Sequence, residues 1–295
     1  KKLAIEKCME EGIKVLTVPP ADQWLYGKLQ INQIRNLRIE DLLQRETIIL
    51  KKNNILSEIT GKRVLITGAA GSIGSEIVRQ VLSYSPLQVI LCDQAESPLH
   101  ELQLEVEDSF PGAKTVMFIA DIQNERRVKA MFRQYKPQIV FHAAAYKHVP
   151  MMENNPSEAV STNILGTKIL ADLSIEFKVD KFVMISTDKA VNPTNVMGAS
   201  KRIAEIYIQS LSCPGKTTGE LSSTKTRFIT TRFGNVLGTN GSVISRFQSQ
   251  IERGGPVTVT HPEIIRYFMT IPEAVQLVME AAAIGRGSEV FVFDM

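Results

Sequence analysis

Short apolar runs alternating with helix-length segments constrain this chain more than any other feature of it. The runs occupy residues 63–67 (RVLIT), 88–92, 115–120, 139–143 and 182–185, and helix-like stretches cover 72–84, 98–107, 125–135 and 156–177. Runs this short and this rich in β-branched side chains suit strands buried on both faces. Strands joined through helices of ten residues or so form βαβ units, hence a parallel sheet with helices on both sides. The expected fold is α/β: a doubly wound parallel sheet over 59–231, then a smaller, irregular C-terminal substrate subdomain over 232–295.

The flanks obey different rules. After a helix at 197–211 and a polar loop at 212–226, residues 227–232 (RFITTR) form another strand. Beyond Gly238 the alternation breaks down, punctuated by glycines at 238, 241, 254 and 255 and prolines at 256, 262 and 272. The last stretch, 289–295 (EVFVFDM), reads as a strand with nothing after it to cover it. At the other end, residues 1–58 suggest a helix, a strand at 14–18 closed by Pro19 and Pro20, and one or two helical turns at 38–45. That is too little for a domain. The chain opens without Met and inside an amphipathic pattern (Leu3, Ile5, Cys8, Met9), so it reads as a piece of something longer.

Composition excludes several classes. A net charge of +3, a single Trp and no basic run interleaved with aromatics argue against nucleic acid. Cys8, Cys92 and Cys213 are odd in number and far apart, with no CxxC and no Cys/His cluster, so neither a disulfide framework nor a metal site is expected. A reduced, cytosolic setting fits them better. No apolar run approaches the roughly 18–20 residues that span a bilayer.

Residues 67–74 read TGAAGSIG, with Gly68, Gly71 and Gly74 spaced GxxGxxG directly after a strand and opening a helix. This is the looser form of the dinucleotide fingerprint of a Rossmann-type fold. Gly68 permits the turn, Gly71 lets phosphates approach the backbone, and Gly74 lets the helix pack on the sheet. A pyrophosphate there meets the N–H groups at Ser72, Ile73 and Gly74 and the positive end of the helix dipole. The alternative is a glycine-rich turn with no ligand. Asp93, ending the second strand, is either the acid that binds ribose hydroxyls or a simple turn residue. No Arg or Lys among residues 94–99 could receive a 2′-phosphate, which favours NAD over NADP. Asp121 and Ile122 either bracket an adenine or begin an ordinary helix cap. Ala143, Ala144 and Ala145 are small enough for a dinucleotide to lie against them.

The loop at 186–202 reads STDKAVNPTNVMGASKR and places Asp188 and Lys189 side by side where a buried strand ends. Strand ends of open α/β sheets are where ligands bind. Lys201 lies four residues beyond Met197, on the same helix face. Taken alone, Asp188 and Lys189 also read as a solvated ion pair.

Together with HAAAYKHVPMMENNP (142–156), NILGT (163–167), TRFGNVLGTNGSV (231–243) and HPEIIRYFMTIPEA (261–274), these motifs resemble the extended short-chain dehydrogenase/reductase superfamily. More narrowly they resemble the bacterial UDP-N-acetylglucosamine 4,6-dehydratases of capsule, O-antigen and protein-glycan biosynthesis. The resemblance runs from about Gly61 to the last residue. Residues 1–58 resemble the end of the nucleotide-binding-like domain, plus linker, that precedes it in the large, membrane-anchored members. It implies oxidation of the sugar at carbon 4 by NAD, loss of water across carbons 5 and 6, and reduction at carbon 6. Lys189 would be the base and Asp188 the acid, each with its pKa moved towards neutrality. Lys201 would hold the nicotinamide ribose and place charge near the carbon-4 oxygen, and Thr187 would hydrogen-bond that oxygen. The superfamily's YxxxK becomes MGASK here. A thioether transfers no proton, so Met197 marks either lost catalysis or the large dehydratases, which the sequence resembles in this substitution.

For the UDP-sugar, Asn235, Arg246 and Arg266 are candidate diphosphate contacts, and Val257 and Thr258 candidate uracil contacts. Lys147 and His148 follow the fourth strand into the same cleft, His148 either as a base or as a packed or capping residue. The resemblance further implies a homo-oligomer in the cytoplasm, with membrane attachment only through upstream segments of a longer parent at the inner membrane's cytoplasmic face. A UDP-sugar 4-epimerase and a catalytically silent nucleotide-binding scaffold are the alternatives.

Overall fold

The computed structural model describes residues 7, 16–17, 35–36, 53–212, 225–239, 241–259, 261, 263 and 266–293. The chain divides into two compact units, 1–48 and 49–295. In the first, β1 (Leu16–Thr17) pairs antiparallel with β2 (Arg35–Asn36), so the expected strand at 14–18 is seen at its centre. Apart from Lys7, which is helical, the helix expected before it lies outside the described residues, as do the turns at 38–45 and most of the loop at 212–226.

The second unit opens with α1 (Asn53–Ile59), which buries Ile55 and Ile59 in the core. Burying two such side chains is worth roughly 1.5–3 kcal/mol each, which ties this helix to the sheet. Strands and helices then alternate: β3 (Arg63–Thr67), α2 (Ser72–Leu82), β4 (Gln88–Asp93), α3 (Glu96–Ser109), β5 (Thr115–Ile119), α4 (Glu125–Tyr135) and β6 (Ile139–His142). Two short helices, α5 (Val149–Asn154) and α6 (Pro156–Ala159), lead through a π-helical segment (Val160–Gly166) into α7 (Thr167–Glu176). After them come β7 (Lys181–Thr187), a 3-10 turn (Asp188–Ala190), α8 (Val196–Leu211) and β8 (Arg227–Phe233). The remaining elements are β9 (Asn235–Val236), α9 (Val243–Glu252), β10 (Phe268–Met269), α10 (Ile271–Ile284) and β11 (Val290–Val292).

Among the described residues the main sheet has the order β11-β8-β7-β6-β3-β4-β5, parallel throughout. Side-chain alternation splits it between two cores. Val64, Ile66, Val89, Leu91, Phe141 and Val183 face one side, while Leu65, Ile90, Val140, Phe182 and Phe228 face the other. That is the doubly wound arrangement expected from the sequence. Strand order reverses between β3 and β6, the switch point where open α/β sheets leave a crevice.

Two expectations change. The terminal run at 289–295 supplies β11, which pairs with β8, so the C-terminal region returns to the main sheet. The helix expected at 156–177 is three segments. Its middle turn widens around Asn163, whose side chain reaches away from the helix to the Tyr146 backbone and to Ser200. Extra-residue turns of this kind arise where a side chain is recruited for such a task. Gly166 meets Ile122 so closely there that an added Cβ would stand 2.6 Å from the isoleucine Cδ1.

Candidate active site

At the switch point a cleft opens over the ends of β3 and β6, lined by Gly68 and Gly71, by Asp93, Asp121 and Ile122, and by Ala143, Ala144 and Ala145. Eight of the expected cofactor contacts therefore share one wall system. Gly68 has φ +67°, and a Cβ on it would lie 2.5 Å from the Ala144 nitrogen. On Gly74 a Cβ would lie 1.9 Å from the Gly68 carbonyl oxygen. The loop is a cradle that any larger residue would fill, and α2 begins from Gly71 without a side-chain cap. Ser72 and Ile73 form its first turn, where an anion meets N–H groups and dipole together. This cradle fits a dinucleotide.

Asp93 braces the cradle. Its Oδ2 accepts from Ala70 N and its Oδ1 from Ala95 N, both at 3.0 Å. It also lines the cleft, and each carboxylate oxygen keeps a second lone pair for a ligand. Asp121 accepts from Gln123 N at 2.9 Å in a local turn, whereas the cap of α4 is Asn124, accepting from Arg127 N. Tyr146 and Thr162 also line the cleft and were missed in the sequence reading. The signal for the second was available: the polar Asn163 inside an apolar helical run.

The proton-transfer candidates sit next door. Thr187 ends β7; its hydroxyl donates to Asp188 Oδ1 at 2.8 Å and accepts from Lys189 N at 3.3 Å, shaping the 3-10 turn. Lys189 Nζ donates to the same Asp188 oxygen at 3.0 Å. Burial alone would raise the Asp188 carboxyl, but the Thr187 and Lys189 hydrogen bonds and the ammonium charge outweigh it and hold its pKa below the usual value. That is opposite to the shift towards neutrality expected of an acid, because half of the side chain still faces water and the lysine is free to pair with it.

Helix α8 is pressed against this turn: a Cβ on Gly198 would lie 2.2 Å from the Lys189 carbonyl oxygen. Its start is tied twice, Asn195 Oδ1 accepting from Gly198 N at 2.8 Å and Glu153 Oε1 from Val196 N at 2.7 Å. Met197 is buried against Met152 and Ala159 as a packing residue. Lys201 is 5% exposed, and desolvation brings its pKa down to about 8 against the pull of Glu205. Its charge in turn adds to the desolvation that depresses His142 to about 3, a neutral imidazole bridging Thr67 and Thr167 at 2.8 Å on each side.

The remaining candidates are scattered. Lys147 follows the cleft-lining Tyr146, and desolvation lowers its pKa. The His148 ring caps nothing and lies against Gly241, whose added Cβ would stand 2.7 Å from its Cε1. Asn235 is half-buried in β9, paired with Phe268. Arg246, Val257, Thr258 and Arg266 are exposed on the C-terminal segment, and Thr258 is held by Gln250. None of these seven lines the cleft.

Cradle, switch-point cleft and buried lysine define the class: a dinucleotide-type α/β enzyme fold with an acid–lysine turn at its mouth. Residues 64–295 match the family described as polysaccharide biosynthesis protein. The chain is 50% identical over 289 residues to the capsular polysaccharide biosynthesis protein CapD of Staphylococcus aureus, covering 98% of this chain and 47% of that one. It is 34% identical over 234 residues to a UDP-glucose 4-epimerase of Rickettsia massiliae, covering 78% and 65%. Among solved structures, Pen from Bacillus thuringiensis aligns with TM-score 0.74 and 38% identity over 81% of this chain and 70% of that one. The chain belongs to the polysaccharide biosynthesis protein family, within the extended short-chain dehydrogenase/reductase superfamily. It spans about half the length of the Staphylococcus relative. Among the described residues no helix is long and apolar enough to cross a membrane.

Proposed function

We propose that this chain is the catalytic part of an NAD-dependent UDP-N-acetylglucosamine 4,6-dehydratase serving surface-polysaccharide synthesis. The observation that carries the reading is the Asp188–Lys189 pair on a turn held by Thr187, facing a helix with Met197 and Lys201 in place of a tyrosine–lysine pair. When bound in the cradle, NAD supplies the transient oxidation at sugar carbon 4 and the matching reduction at carbon 6. The chain's own residues supply the rest.

Elimination needs a neutral amine to take the carbon-5 proton and a protonated carboxyl to release the carbon-6 hydroxyl as water. The ion pair in the structure has the same proton count as that reactive pair. Moving one proton from Lys189 Nζ to Asp188 Oδ1, 3.0 Å away, converts one into the other. In water the charged form is favoured; a sugar that covers the turn removes solvent and favours the neutral form. Lys189 then accepts the carbon-5 proton while Asp188 donates its own, which regenerates the ion pair. Thr187 can donate to the carbon-4 oxygen, and the Lys201 cation beside it lowers the cost of negative charge there.

Likeness to the Rickettsia epimerase favours a second reading, 4-epimerisation on the same cradle. Mass spectrometry of UDP-N-acetylglucosamine incubated with the protein and NAD separates the two, since dehydration removes one water and epimerisation leaves the mass unchanged. Asp188→Asn and Lys189→Ala should each cost about 10²–10⁴ in turnover. Full turnover in both variants would refute the acid and base roles.

A further inference from the structure

Lys201 is almost fully buried, and the influences on its ammonium group are that burial and the through-space charge of Glu205. Such a group tends to lose its proton. One turn further along α8, on the same face, is a wholly buried carboxylate, Glu205. Both of its oxygens are occupied elsewhere. Arg232 on β8 donates through Nε to Oε1 at 2.9 Å and through Nη2 to Oε2, and Arg202 Nη1 donates to Oε2 at 3.1 Å. The carboxylate thus cannot swing over to Lys201. It acts across space, from a position that a bidentate guanidinium makes rigid.

We propose that Glu205, clamped by Arg232, is a positioning residue that keeps Lys201 cationic in the active site. The inference rests on the dehydratase reading for its consequence, but not for its physics. The other ionisable or charged groups around Lys201 have different parts. His142 on β6 is neutral, Arg202 is partly solvated on the outer side of α8, and Asp188 and Lys189 on the turn after β7 are paired with each other. Glu205 is the buried negative charge whose field reaches the ammonium. The clamp adjusts that field, because Arg232 carries the opposite charge against the same carboxylate.

The test is the alkaline limb of the pH profile together with direct titration of Lys201. The latter uses NMR of reductively ¹³C-methylated protein without sugar, with Lys201→Arg identifying the resonance. Glu205→Gln keeps the volume and removes the charge, so the Lys201 midpoint should fall by about one pH unit and the alkaline limb should move with it. Arg232→Gln leaves the carboxylate less neutralised and should move both upward. Glu205→Asp, which retains the charge, should stay near the wild-type midpoint. Opposite shifts in the Gln variants are the signature of a field; a purely structural pair would move neither midpoint, or both the same way, and either result overturns the proposal. If Glu205→Gln does not fold, the Arg232→Gln titration alone decides, an unmoved or lowered midpoint overturning it. Because the NMR arm needs no turnover, the expected shifts in a protein that never dehydrates a sugar nucleotide would uphold this inference while removing the dehydratase reading.

Discussion

Among the described residues of the second unit two lysines are buried, and their surroundings differ in a way that separates scaffold from chemistry. Lys181, the first residue of β7, is 1% exposed and fully coordinated. It donates to Glu58 at 2.8 Å and to the carbonyl oxygens of Ala282 and Ala283 at 2.5 and 3.1 Å. It joins α1 to the last turn of α10, where a cation also complements the helix dipole. Lys201, beyond the other end of the same strand, is buried nearly as deeply, and the charge that acts on it, Glu205, does so through space. The first arrangement is what stability asks for, since buried charge is tolerable when paired and hydrogen-bonded. The second costs stability, as groups poised for ligands commonly do.

The sharpest way to break this contrast is to remove each ammonium in turn. Lys201→Met should lower turnover of the nucleotide sugar about 10³-fold while leaving the urea midpoint unchanged or higher. A large loss of stability there would mean that Lys201 is structural after all. Lys181→Met should do the converse, costing about 3 kcal/mol in urea unfolding, because it leaves a partly buried carboxylate and two helix-end carbonyls unpaired, with turnover per folded molecule unchanged.

Titration sharpens the same contrast. Lys201 has a folded pKa of about 8 against 10.5 for an ordinary lysine, so between those values the unfolded chain binds more protons at this position. Stability should therefore rise with pH across that window by up to about 3 kcal/mol, the penalty being fully present below pH 8. Thermal melts should show this rise in the wild type and in Lys181→Met, and lose it in Lys201→Met. The smallest effect concerns their neighbour: Met197→Leu, a volume-conserving change in an apolar pocket, should cost under about 1.5 kcal/mol and leave turnover within a few-fold. A collapse in turnover would show that the thioether does more than pack.

Most of the fold could be read from the chain, since short continuous apolar runs and the glycine spacing are local signals. RVLIT announced a strand covered on both faces, and TGAAGSIG announced the cradle beside it. The Asp188–Lys189 turn was equally readable. The break in the helix at 156–177 was not, because it comes from Asn163 reaching across to Tyr146 and Ser200, contacts that leave no periodicity. Asp93 reads as a ribose ligand or a turn residue, and what the sequence did not tell is that its carboxylate braces the glycine loop. Arg246 and Arg266 carry the right chemistry for phosphate, but residue type alone does not say that both are exposed on the C-terminal segment.

By itself, then, the sequence determined the doubly wound parallel sheet, the dinucleotide cradle and the acid–lysine turn at a strand end, because each is written in residues close together along the chain. Only the tertiary structure decided which buried lysine is directly paired and which is acted on through space. Lys181 finds Glu58 across 123 residues and Ala282 across 101, while Lys201 meets the field of a carboxylate fixed by an arginine 27 residues further on. Partners at such separations are set by packing, and packing also fixes how much water remains to share the charge.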